Sequence, residues 1–161
     1  MHRIAPLGLA CTLLLATAAT ASASPPLITE VVQVRVDVPF LDEPCAEGFE
    51  VRYSATINRR SITTLDVAGN VVLERRHVDF TGTLKNSMTG TTLPYTGHFT
   101  RVFEPATGRL TFIGLVRRTT VPGIGTIELD AGISVIDDPT GDTLFEAGRH
   151  EYNARICDLL A

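Results

Sequence analysis

The chain has 161 residues, 44 % hydrophobic and 6 % aromatic, with 14 basic against 18 acidic side chains and a net charge of −4. Its basic residues stand singly or in pairs, and no basic stripe runs along any segment. That distribution argues against nucleic acid and against anionic membrane surfaces as partners.

The first 26 residues, MHRIAPLGLACTLLLATAATASASPP, read as an export signal. His2 and Arg3 form a short basic start, Leu7 to Ala19 an apolar run, and Ala21-Ser22-Ala23 a small-residue cleavage site. The apolar run falls short of the roughly 20 residues that span a bilayer, so cleavage after Ala23 is expected rather than a retained anchor. Cys11 precedes most of the apolar run and lacks the context of a lipid-anchor site, so it is expected to leave with the leader. Residues 24–161 then form one secreted, extracellular domain, and removing residues 1–23 leaves 138, a usual size for a single core. Loss of Arg3 leaves 13 basic and 18 acidic residues, a charge of −5.

Period-two alternation dominates the chain beyond the leader, the mark of half-buried strands. VVQVRVDV sets Val32, Val34, Val36 and Val38 against Gln33, Arg35 and Asp37, and FEVRYSATI sets Phe49, Val51, Tyr53, Ala55 and Ile57 against Glu50, Arg52, Ser54 and Thr56. GTIELDAGISVID sets Ile127, Leu129, Ala131, Ile133 and Val135 against Glu128, Asp130 and Ser134. Turns are marked by NSMTG, EPATGR and DDPTGD, each carrying a glycine suited to positive φ, and by DVAGN and VPGIG. Strands are predicted near 28–38, 48–58, 61–65, 71–84, 91–103, 109–120, 125–136 and 143–153, with a turn of helix at ICDLL. About eight long antiparallel strands with tight turns must hide their edges, and closure does so completely. The predicted fold is all-β, an antiparallel up-and-down β-barrel, with a two-sheet β-sandwich as the alternative. Gly82, Gly97, Gly114, Gly132 and Gly148 lie inside strands and fit the bends of barrel corners.

Two cysteines remain after processing, Cys45 and Cys157. An even count in an oxidising compartment predicts a disulfide between them. A zinc site is disfavoured, because two isolated cysteines so far apart are a weak zinc signature.

HVDFTGTLKNSMTGTTLPYTGHFT, VPGIGTIELDAG, FEAGRHEY and the terminal ICDLLA resemble segments of small secreted single-domain β-proteins of high-GC Gram-positive bacteria. The resemblance runs from about Cys45 to the end. It implies a compartment and a small barrel similar to the allene-oxide-cyclase and dirigent type, and it carries over no activity.

Candidate chemistry is sparse. Arg75, His77 and Asp79 share one strand face, and inside a barrel they would place a cation, an imidazole and a carboxylate in a low-dielectric cavity able to bind an anion or move a proton. Val72, Val78 and Phe80 have the opposite phase, and apolar phase is the stronger sign of the interior. His98, His150 and Tyr152 are further ligand-binding candidates, His150 and Tyr152 sharing a phase near the end of the last strand. Of the pair Arg117-Arg118, one is expected to face solvent and the other the rim. His77 and Asp79 have the i, i+2 spacing of two metal ligands, but the remaining ligands are not evident, so no metal is assigned. No G-x-S-x-G elbow occurs, and GIGTIE precedes a strand rather than a helix, so it is not a phosphate cradle. The chain has no tryptophan, on which avidin-like and lipocalin-like pockets depend. The expected function is non-catalytic binding of a small apolar or amphipathic molecule or a protein partner, without a cofactor. The alternatives are a cyclase- or isomerase-type enzyme around His77, and an inhibitor or cell-envelope interaction protein.

Overall fold

The computed structural model describes residues 25–121, 123, 125–151 and 156–161. The expected leader and Tyr152 lie outside them. Seven strands occur in chain order: β1 Leu27–Pro39, β2 Val51–Leu65, β3 Val71–Asn86, β4 Thr92–Glu104, β5 Arg109–Val121, β6 Gly125–Asp137 and β7 Thr143–Glu151, then a short helix α1, Ile156–Leu160. They form one antiparallel sheet in the order β1-β2-β3-β4-β5-β6-β7.

Two expectations change. The strands read at 48–58 and 61–65 are one continuous strand, because β1 and β3 pair with Arg59 and Arg60 on either side. The strand count is therefore seven, and all seven share one sheet, which excludes the two-sheet sandwich. Among the described residues no pairing joins β1 to β7, so the sheet has two edges.

The turns obey the sequence chemistry. Gly69, Gly90, Gly108, Gly123 and Gly141 all take positive φ. In the β2–β3 turn, the Asp66 carboxylate accepts from the backbone N–H groups of Ala68 and Asn70, each at 2.8 Å, and from the Asn70 amide at 3.0 Å. Those donors, the Asn70 side chain foremost, hold its carboxyl below the usual range. Gly114, Gly132 and Gly148 stand opposite one another across β5, β6 and β7, and all three have positive φ. This row makes a crease along which the three strands bend together.

One sheet face carries the core. Val51 and Ala55 of β2, Val78 and Leu84 of β3, and Leu93 of β4 are buried on it, in the phases that the cross-strand register brings together. At the end of the sheet where β2 and β4 begin and β3 ends, this inner face closes over α1. Ile156 and Leu160 of the helix are fully buried with Cys45, Phe49, Val51, Leu84 and Leu93. A five-residue helix has no stability of its own, and three devices hold this one. Its apolar face is buried, Cys157 is disulfide-bonded to Cys45, and the buried Asn86 amide donates to the Leu160 carbonyl at 2.9 Å. The same Asn86 accepts from the N–H groups of Met88 and Thr89, so one side chain fixes both the β3–β4 turn and the helix.

Candidate functional site

The sequence candidates lie mostly on the other face. In β3, Arg75, His77 and Asp79 have the phase opposite to buried Val78; Arg75 and Asp79 are exposed and His77 is half-buried. His77 Nδ1 is 2.9 Å from Thr100 Oγ1. Asp79 instead pairs with His98 of β4, and both are open to solvent. Shallow, open grooves of about 500 and 360 Å³ lie beside these residues on that outer face. Arg75, His77 and Asp79 thus do not meet in an inner cavity; they take the outward phase that the apolar Val78 and Phe80 favoured for them. Val72, expected inside, is exposed, whereas Val78 and Phe80 turn inward.

The inner face carries two features side by side. The first is an aromatic groove of about 320 Å³ lined by Phe40, Tyr53, Ala55, Ile57, Phe80 and Tyr95. Phe40, from the segment after β1, meets Tyr53 and Tyr95 edge-on at 5.9 and 5.2 Å between ring centroids, and Phe80 tilts against Tyr95 at 4.9 Å. These separations are those of favourable aromatic pairs. Ala55 and Gly82 stand opposite each other in the floor. A Cβ at Gly82 would lie 2.1 Å from the Ser54 carbonyl oxygen and 2.6 Å from the Ala55 Cβ. Small residues here let the strands approach and leave the volume above them to the rings.

The second feature is a buried charged wall on β5, β6 and β7. Glu128, Asp130 and Ser134 are buried, so the polar face of GTIELDAGISVID is the inner one. Arg117 supplies the reason. Its Nε lies 3.6 Å from Glu128 Oε1 and 3.5 Å from Asp130 Oδ2. Thr119 donates to Glu128 at 3.0 Å, His150 Nδ1 is 2.9 Å from Asp130 Oδ1, and Ser134 donates to Glu146 at 3.1 Å. Buried charges persist when paired and hydrogen-bonded in this manner. A register shift between Leu115 and Arg117 turns Arg117 to this side, and Arg118 is left exposed.

Tyr95 joins the two features. Burial pushes its phenol up to about 12, with the nearby Arg117 guanidinium opposing the shift. It therefore stays protonated, a hydroxyl able to donate or accept at the border of an apolar groove. His150 is shifted upward, chiefly by its hydrogen bond to Asp130, while desolvation acts the other way.

That shift fixes the sign of a pH dependence. A raised folded-state value stabilises the fold fully below the ordinary imidazole value, about 6.5, and the contribution is lost as pH rises through the folded value. His150→Gln is expected to destabilise the protein more at about pH 5 than at about pH 9. Urea denaturation at the two pH values checks it, and an equal loss at both would contradict it.

Sequence reasoning missed Arg117, Glu128 and Asp130 as a group, and Phe40, Tyr53, Phe80 and Tyr95 as a pocket. One signal was present: Glu128 and Asp130 alternate in a strand whose neighbour carries an arginine pair. Among the described residues no cluster of three or more His, Cys, Asp and Glu is placed to hold a metal ion. The chain matches no family model, no curated protein and no solved structure.

Proposed function

We propose that this chain is a secreted, non-catalytic binding protein whose inner aromatic groove takes a small amphipathic molecule. The observation that carries the reading is the groove itself: Phe40, Tyr53, Phe80 and Tyr95 surround an open volume of about 320 Å³, within the range of small-molecule sites. Apolar rings and Ile57 suit the body of such a ligand, and the protonated Tyr95 hydroxyl suits its polar end. The disulfide and the export-like leader support an extracellular location. The order of the strands, each beside its sequence neighbour, is that of an up-and-down barrel parted between β1 and β7. A barrel of that type is the architecture proposed here, with the groove on its inner face.

The catalytic alternative required Arg75, His77 and Asp79 inside a cavity, and their outward phase removes its support. The buried wall of Arg117, Glu128, Asp130 and His150 is engaged in ion pairs and hydrogen bonds within the sheet, which favours a structural role for it.

Ile57→Glu tests the groove. It places a carboxylate among the apolar side chains that line the groove, in place of a half-buried isoleucine. Binding of a neutral solvatochromic naphthalene dye is expected to weaken at least about tenfold, which corresponds to about 1.4 kcal/mol. Equal dye affinity in the variant and the parent would reject the groove as the site.

A further inference from the structure

We propose that this protein is a two-fold dimer in which β1 pairs antiparallel with β1 of a second copy, centred on Val32. Among the described residues β1 has one neighbour, β2, so its other edge presents backbone donors and acceptors unpaired by any of them, along a strand rich in Val, Ile and Thr. Val32, Val34 and Val36 on one face are 67 %, 64 % and 71 % exposed, and Val31 on the other is 52 % exposed. Apolar side chains exposed on both faces of an edge strand are a strong template for strand addition.

Edge protection is sparse in its regular part, where Glu30 and Arg35 are the charged residues. No lysine or proline occurs between Leu27 and Val38. Two of the polar side chains lean back onto β2 instead of covering the edge: Glu30 lies 3.5 Å from Arg60, and Gln33 accepts from Arg59 at 2.6 Å. The pairing of β1 with β2 is regular from Leu27 to Arg35 and shifts only beyond it, so this stretch is free to accept another strand.

The stretch is also self-complementary. Centred on Val32, a two-fold sets Val32 opposite Val32, Glu30 opposite Val34, Val31 opposite Gln33 and Thr29 opposite Arg35. No like charges face one another, and the two Glu30 copies stand four positions apart. Val32 and Val34 of both copies form one continuous apolar strip, where cross-strand β-branched pairs are favourable. The other edge fits this role less well. β7 is nine residues long, creased at Gly148 with φ 132°, and carries Glu146, Arg149 and Glu151 within it. A β1–β7 contact between copies would also propagate without closing, whereas the β1–β1 contact closes after two.

The test is sedimentation equilibrium of the wild-type chain, with Val32→Lys and Leu144→Lys beside it, at micromolar concentration. The expected result is a wild-type dimer, a Val32→Lys monomer with unchanged far-ultraviolet circular dichroism, and a Leu144→Lys dimer, since Leu144 lies on β7. A wild-type monomer, assembly beyond two copies, a Val32→Lys dimer, or loss of the dimer in Leu144→Lys would each overturn the proposal. Val32 is solvent-exposed in the single chain, so its substitution leaves the core intact. Should Val32→Lys nonetheless misfold, Val34→Glu on the same strip serves in its place and is expected to be monomeric; a Val34→Glu dimer would overturn the proposal.

Discussion

Cys157→Ser is expected to lower the unfolding free energy by about 4 kcal/mol. The bridge joins residues separated by 112 positions. For a loop of about that length, chain entropy in the unfolded state gives about 4–5 kcal/mol. The loss has a local consequence as well. α1 is too short to persist unaided, and Ile156 and Leu160 are fully buried only while it stays docked. Urea denaturation of the variant and of the reduced wild type should give matching losses. A loss below about 1 kcal/mol would mean that burial of Ile156 and Leu160 alone holds the helix.

Gly132→Ala is expected to cost about 2–6 kcal/mol, from backbone strain and overpacking together. Gly132 sits in the crease with φ 147°, a conformation costing a residue with a Cβ about 1–3 kcal/mol. A Cβ there would also lie 2.1 Å from the Ala147 carbonyl oxygen and 2.8 Å from the Gly148 Cα. Those atoms are backbone of the paired strand, so no side-chain rotation relieves the contact. β6 and β7 must part locally, an overpacking cost of about 1–3 kcal/mol more. The charged wall lies close to this point, with Asp130 paired to His150 two residues along from Gly132, so the variant should also lose the pH dependence that His150 contributes. Thermal unfolding at about pH 5 and pH 9 measures both effects. A loss below about 1 kcal/mol would contradict the crease.

Local chemistry made much of the fold legible. Strand alternation and the Thr-Gly turns are written in consecutive residues, so β3 to β7 and their connections could be read directly. The cysteine pair came from parity and compartment, and α1 from ICDLL. Non-local features were not legible in the same way. Arg59 and Arg60 resemble a loop in isolation, yet they lie within β2 because β1 and β3 pair with them on either side. The inner face of β6 was inverted for a similar reason. Ile127, Leu129 and Ile133 suggest an interior, but Arg117 arrives from β5 through a register shift and His150 from β7, and together they bury Glu128 and Asp130. The groove draws on the segment after β1 and on β2, β3 and β4, so no single window contains it. The residues that look most like a site in sequence, Arg75, His77 and Asp79, stand together only because alternate residues of any strand do.

The most direct measurement is native mass spectrometry of the protein purified without denaturation from the cells that make it and their medium. The expected spectrum shows the disulfide-bonded domain carrying additional mass that is released on denaturation and is absent from Ile57→Glu. A native mass per chain equal to the denatured mass, with no bound molecule on the wild-type chain, would contradict the binding function proposed for the groove.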